Sequence, residues 1–240
     1  MLEDRIFLKK IRIKKENNFF LNYLFPIEFK KPITVLTGEN GVGKSAILES
    51  LAVFLGCPAE GGSKNFSFST EDTHIKIPDL IFERNYRYPK DIFFYRSETF
   101  YTFMSEMKKL DKPEIGGGKI NYFYGGKELH KLSHGEAMRA LYLNKFKENG
   151  LYLLDEPEVS LSINNQLEFI EKIVNLSRKG SQFIIASHSP IIMQIPGIHL
   201  IEITKKGIKN ISFKDTNIYY MYRELMLDES QEYLKSIINF

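Results

Sequence analysis

One cysteine occurs in 240 residues. Cys57 has no intramolecular partner, which excludes a disulfide-stapled domain, points to a reducing compartment and leaves a half-buried thiol as its plain role. An excess of charge of one sign is also missing: 33 Lys and Arg stand against 30 Asp and Glu, a net of +3. The basic run Lys9, Lys10, Arg12, Lys14 and Lys15 reads first as a solvated face, and charge alone does not make this chain a nucleic-acid binder. Long apolar runs are absent. None approaches the ~20 residues of a spanning helix, and Met1-Leu2-Glu3-Asp4-Arg5 opens without the apolar region of a signal peptide. The expectation is a cytoplasmic protein with no direct membrane insertion, any membrane role falling to a separate partner. Repeats, low-complexity linkers and heptads of coiled-coil length are lacking too. What is present is an ordinary globular composition, 43% apolar and 26% charged, long enough for one sizeable α/β domain.

Residues 32–37 read as a short buried strand running into Gly38-Glu39-Asn40-Gly41-Val42-Gly43-Lys44-Ser45. Ile47, Leu48, Leu51, Ala52 and Leu55 then follow at helical spacing. Strand, glycine loop and helix form the unit a phosphate-binding loop needs. The stretch from about 59 to 148 is turn-rich (Gly61-Gly62-Ser63, Gly116-Gly117-Gly118, Gly125-Gly126) and aromatic. It predicts a small inserted lobe of short strands with a helix over 99–110. After Ser133 a helix is expected to run through Phe146 to a C-cap at Asn149-Gly150. Apolar strands follow at 151–154 and 182–187, separated by a helix over 165–178, and the tail from Thr216 predicts one or two amphipathic helices. Continuous apolar strands alternating with helices predict an α/β fold with a mainly parallel sheet covered by helices on both faces, a single domain over 1–240.

The glycine loop fits G-x-x-x-x-G-K-[ST] in full. Its backbone N–H groups must point inward around a polyphosphate, which demands glycine where φ is positive or the approach is close. Lys44 would reach the β- and γ-phosphates, the Ser45 hydroxyl would be a magnesium ligand, and the helix start through Ala46 adds its positive dipole end. Asp155-Glu156 closes an apolar strand at the end where ligands bind in parallel sheets. Asp155 would orient Mg2+, and Glu156 would accept the proton of the attacking water. His188 closes the neighbouring apolar strand and should face the same rim, as a γ-phosphate contact that also positions the water. Ser133 with Glu136 three residues on is a capping box. A capped helix start with small residues, Gly135 among them, is equally an anion site.

Together these residues resemble an ATP-binding-cassette ATPase: Walker A at 38–45, signature at 132–136, Walker B at 151–156, a D-loop-like turn at 157–162 and the switch histidine His188. The resemblance spans about 33–190. It implies a P-loop NTPase with an ABC-type core and a signature-bearing lobe, and Mg2+-dependent hydrolysis of ATP to ADP and phosphate. It also implies an ATP-dependent head-to-tail homodimer in which Ser133 of one copy meets the γ-phosphate held by Lys44 of the other. Asp155-Glu156-Pro157-Glu158 and Ser187-His188-Ser189-Pro190 resemble the SMC-, RecF- and OLD-like branch. Gly61 to Phe66, Phe94 to Glu98 and Ser133 to Glu136 resemble a group of small stand-alone ATPases. Two departures stand out. His134 occupies the usual first glycine of the signature, and no glutamine marks a Q-loop, for which Glu98 is the substitute candidate and a third metal-side residue. Phe19, Tyr23 and Phe25 are candidates to stack on adenine. Three readings result: a stand-alone ATPase switch acting on an unknown partner in DNA maintenance or phage defence, a transporter nucleotide-binding subunit, and a non-hydrolysing scaffold. Intact Lys44, Glu156 and His188 argue against the last, and nucleic-acid binding rests on analogy alone.

Overall fold

A computed structural model describes residues 6–14, 22–63, 80–110, 132–229 and 231–238. Along the chain the described strands are β1 (Leu8–Ile13), β2 (Ile27–Glu28), β3 (Ile33–Thr37), β4 (Gly62–Ser63), β5 (Leu80–Arg84), β6 (Asp91–Arg96), β7 (Gly150–Asp155), β8 (Gln182–Ala186), β9 (His199–Thr204) and β10 (Gly207–Asn210). The described helices are α1 (Lys44–Phe54), α2 (Phe100–Leu110), α3 (His134–Asn144), α4 (Ile163–Arg178), α5 (Pro190–Met193), α6 (Asn217–Leu227) and α7 (Glu232–Ile238).

Seven strands make one sheet in the order β10-β9-β3-β8-β7-β6-β4. Its five central strands are parallel, and β10 and β4 close the edges antiparallel. Every residue of β3, β7 and β8 is buried, because successive side chains enter two different cores. Val35, Tyr152, Leu154, Phe183 and Ile185 face one side, where Met138 and Leu141 of α3 and Phe169 and Ile173 of α4 pack on them. Leu36, Leu151, Leu153 and Ile184 face the other, against Leu48 and Leu51 of α1.

Helices were expected on both faces. On the second face, α1 instead shares the cover with an antiparallel sheet, β2-β1-β5, through Leu8, Ile11 and Ile27. In β1, Leu8 and Ile11 both reach that core at a spacing of three, because the register with β5 shifts between Leu8 and Lys10. Such a bulge hides the two-residue alternation that reveals a strand.

Within the segment expected as an inserted lobe, part of the described chain joins the main sheet and its core. β4 and β6 lie in the main sheet, and Phe93, Phe103, Met138 and Leu141 share its first core. Gly116 to Gly118 and Gly125-Gly126 fall outside the described residues. The C-cap expected at Asn149-Gly150 is corrected: α3 stops at Asn144, and Gly150 already pairs with Asp91 as the first residue of β7. Phe146, fully buried, stacks on Tyr152 at 4.4 Å between ring centroids. The Tyr152 hydroxyl accepts from the Lys147 N–H (2.6 Å) and donates to the Lys147 carbonyl (3.0 Å), which draws the chain off the helical path. At the tail, where one or two helices were expected, α6 and α7 form, and Thr216 caps α6 by accepting the Tyr219 N–H at 3.1 Å. Among the described residues no helix is long and apolar enough to cross a membrane.

Candidate active site

The C-terminal ends of β3, β7 and β8 lie side by side, so the loops that leave them converge. The loop after β3 turns on glycines with positive φ, at 138° for Gly38, 78° for Gly41 and 100° for Gly43. At Gly38 the constraint is also steric, since a Cβ there would sit 2.1 Å from the Ile203 carbonyl oxygen. Glu39, Asn40 and Gly41 form the exposed rim, whereas Val42 and Ala46 are buried beneath it. Gly43 is the N-cap of α1 and makes no side-chain cap, which leaves the first N–H groups of that helix open to an anion.

Lys44 is buried, and its ammonium donates to the carbonyls of Gly38 and Glu39, both at 2.8 Å. Burial lowers its pKa, against the opposing fields of Glu156, Asp155 and Glu158. A charge held in the loop by carbonyls and neighbouring carboxylates is placed to exchange those carbonyls for phosphate oxygens. The Ser45 hydroxyl donates to Asp155 Oδ1 at 3.1 Å. These two hard oxygen donors fit a magnesium ion that takes its remaining ligands from phosphate and water. Among the described residues no three or more His, Cys, Asp or Glu side chains are grouped so as to hold a metal ion by themselves, and such a site does not call for that.

Glu156 follows at φ 50°, a conformation uncommon for a residue with a side chain, and its N–H donates to the Ala186 carbonyl at 2.9 Å. His188 Nε2 lies 3.9 Å from Glu156 Oε1 and, although buried, has no hydrogen-bond partner. Burial first, then the Lys44 charge, lowers the His188 pKa, with Glu156 opposing. The imidazole is therefore neutral at neutral pH, and its orphaned nitrogen fits a ligand oxygen.

Ser133 is exposed at the start of α3. The capping box is complete: Ser133 N–H donates to Glu136 Oε2 (2.9 Å) and Glu136 N–H donates to Ser133 Oγ (3.3 Å). Gly135 packs so closely on the turn after β7 that a Cβ would lie 2.6 Å from the Ser160 carbonyl oxygen. His134 fills an intramolecular aromatic site. It stacks on Phe100 at 5.3 Å, stands edge-on to Tyr101 at 4.8 Å, and reaches the Tyr95 hydroxyl through Nε2 at 3.4 Å. Glu98 is exposed and engaged with Arg96 Nη2 at 3.0 Å, while Arg96 also binds Glu49 of α1 at 3.2 Å. Glu98 lies near enough to help raise the Asp155 pKa, yet it is not drawn into the Ser45–Asp155 pair. Tyr23 and Phe25 are half-buried, Tyr23 donating to the Val42 carbonyl at 3.0 Å, and Phe19 is outside the described residues. Beside the loop lies a cavity of about 630 Å³ between Gly38, Glu39 and Val42 on one wall and Thr204, Lys205 and Gly207 on the other.

Asp155 yields a testable consequence. Burial is the main cause that pushes its carboxyl up to about 6, opposed by the Ser45 hydrogen bond. A raised folded-state pKa means that its stabilising share is present below the unfolded value and is lost as pH rises through about 6. Asp155→Asn keeps the acceptor for Ser45 without the buried charge. The variant should therefore gain on the order of 2–3 kcal/mol over wild type at pH 8 and nothing at pH 4. Urea titrations at the two pH values test this, and a gain that did not depend on pH would refute the charge as its cause.

Sequence reading did not single out three of these residues. Glu158 accepts hydrogen bonds from the loop that carries His188, Arg96 braces β6 to α1, and Tyr95 reaches the signature helix. Glu158 stood in the Asp155-Glu156-Pro157-Glu158 motif, and Tyr95 and Arg96 in the Phe94 to Glu98 stretch, but none of them had an assigned role.

A family model described as an AAA domain (AAA_23) matches residues 10–239. The chain is 49% identical over 51 residues to structural maintenance of chromosomes protein 6B of Arabidopsis thaliana, which is 21% of this chain and 5% of that protein. It is 25% identical over 174 residues to the manganese transport system ATP-binding protein MntA of Synechocystis sp., covering 65% of this chain and 64% of the relative. It thus spans less than two thirds of the length of either relative. A nucleotide-free ATP-binding cassette from an ABC transporter superposes with a TM-score of 0.52 at 17% identity, covering 85% of this chain and 89% of that one. The likeness establishes the fold, a P-loop α/β cassette with a mixed sheet flanked by helices. With nearly its whole length matched, the chain belongs to the AAA_23 family of AAA domains and has the architecture of an ATP-binding, ABC-type ATPase.

Proposed function

We propose that the protein hydrolyses ATP to ADP and phosphate at a site completed by a second copy packed head to tail, as a nucleotide-driven dimerisation switch. The observation that carries this reading is the convergence of Lys44, the Ser45–Asp155 pair, Glu156 and His188 on one sheet rim. Lys44 and the N–H groups from Gly41 to Ala46 bind the β- and γ-phosphates, and the cavity beside the loop receives the base. Ser45 and Asp155 hold Mg2+, which when bound neutralises phosphate charge. Glu156 takes the proton of the attacking water, and neutral His188 donates from Nε2 to the γ-phosphate or the water.

The second copy is argued from the surface beside the site. Ser133 is exposed at the start of α3, whose Gly135 packs on the Ser160 carbonyl, and the turn carrying Ser160 and the start of α4 expose the apolar side chains of Val159 (64% exposed) and Ile163 (65%). A partner copy would bury them and bring Ser133 and Gly135 to the nucleotide. The partner acted upon is unknown; the chain's own Asp-Glu-Pro-Glu and Ser-His-Ser-Pro motifs, which resemble SMC-, RecF- and OLD-like ATPases, support a role in DNA maintenance or phage defence. The transporter-subunit reading has the named transport relative in its favour. Against it stands the lack of a coupling glutamine, for which the substitute candidate Glu98 is tied to Arg96.

Size-exclusion with light scattering tests the dimer. Glu156→Gln should elute at twice the monomer mass with ATP and Mg2+ and as a monomer without them. A variant saturated with ATP that stays monomeric would sink the head-to-tail reading.

A further inference from the structure

The Glu158 carboxylate sits in the turn after β7, yet its hydrogen bonds go to the loop after β8. One oxygen, Oε1, accepts from Ser187 Oγ (2.8 Å), the His188 N–H (2.8 Å) and the Ser189 N–H (3.1 Å). Three converging donors use all the acceptor capacity of that oxygen and fix the backbone from which the His188 ring projects. A second strap runs parallel to it. Ser189 Oγ donates to Gln166 Oε1 at 2.7 Å, and Gln166 Nε2 donates to the Leu161 carbonyl at 3.1 Å. The same turn presents the Ser160 carbonyl to Gly135 of α3 and leaves Val159 exposed.

We infer that Glu158 is a positioning residue for His188, making the placement of that imidazole depend on the turn that a second copy would touch. Touching no substrate itself, it joins the exposed turn to the group that faces the γ-phosphate. The inference rests on the hydrolytic reading given above for its kinetic consequences, but the geometry it asserts exists without nucleotide. A turn pressed by a partner at Val159 moves Glu158, and the 187–189 loop must follow because the carboxylate holds it at three points.

The test uses the full chain with Glu158→Ala, Glu158→Gln, His188→Ala and the double variant Glu158→Ala/His188→Ala. Glu158→Ala should lower kcat by about 10- to 100-fold, the cost of misplacing a catalytic group by about 1 Å, with KM and binding of a fluorescent ATP analogue unchanged within about threefold. Glu158→Gln keeps an Oε1 acceptor and should recover most of the rate. In the double variant the loss should be no greater than for His188→Ala alone, since two residues acting through one group are not additive. Additive losses, a KM that rises with the fall in kcat, or a folded Glu158→Gln as slow as the alanine variant would overturn the inference. The His188 ring resonances in nucleotide-free protein give a readout independent of turnover. They should shift in Glu158→Ala and stay near their wild-type positions in Glu158→Gln, and unchanged resonances in the alanine variant would overturn the proposal. Wild type without ATPase activity, or Lys44→Ala with full activity, would instead refute the hydrolytic reading and leave the resonance test standing. Thermal unfolding of each variant separates loss of fold from loss of position.

Discussion

Glu156→Gln is expected to lower kcat by about 10²- to 10⁴-fold, the usual contribution of a positioned general base. The amide preserves size and the φ of 50° that aims the side chain from the end of β7, but it cannot take a proton. Nucleotide affinity should persist, because Lys44 Nζ, the loop N–H groups and the Ser45–Asp155 pair are untouched. Single-turnover hydrolysis alongside equilibrium binding separates the two. Loss of binding in parallel with rate would assign Glu156 to holding the nucleotide, and an unchanged rate would pass the base to another group. His188 is the nearest such group, 3.9 Å away, and its lowered pKa leaves a neutral nitrogen there.

The second large effect lies away from the chemistry. Gln182 is fully buried, and its side chain joins the two sheets: Oε1 accepts the N–H groups of Phe7 and Leu8, both at 2.9 Å, and Nε2 donates to the Leu8 carbonyl at 2.9 Å. Gln182→Leu has nearly the same volume but leaves three buried backbone groups of the first strand without partners. Each such group costs about 1–3 kcal/mol, so a loss of about 4 kcal/mol is expected in equilibrium urea denaturation. A loss below about 1 kcal/mol would mean that water or a local shift restores those bonds. The same clamp sets the start of β8, five residues before the loop that carries His188.

The elements around the site were legible because their signals are local. Strand β3, the glycine loop and α1 follow from a buried β-branched run, four glycines (Gly38, Gly41, Gly43 and Gly56) and apolar residues at helical spacing. The carboxylate strand and the histidine strand read as apolar runs ending in acid or imidazole, and the capping box of Ser133 and Glu136 formed as its spacing required. Legibility failed where a partner lies far along the chain. Leu8 and Ile11 reach one core only through a bulge against β5, some seventy residues on. Likewise, α3 ends early because Tyr152 captures the Lys147 backbone, a contact between a strand and the loop before it that helical periodicity cannot show. His134 departs from the glycine of its motif, and only folding reveals that Phe100, Tyr101 and Tyr95 provide its ring with a site.

By itself, the sequence determined where the glycine loop lies and which strand ends deliver acid and imidazole, because backbone conformation, side-chain donors and apolar runs are properties of a few neighbouring residues. Tertiary structure decided how those groups are held. It placed Asp155 on Ser45, drew Arg96 to Glu49, and set Glu158 under the His188 backbone. Those outcomes depend on strand order and register, which bring together residues 30 to 110 positions apart, and no local pattern encodes such a distance.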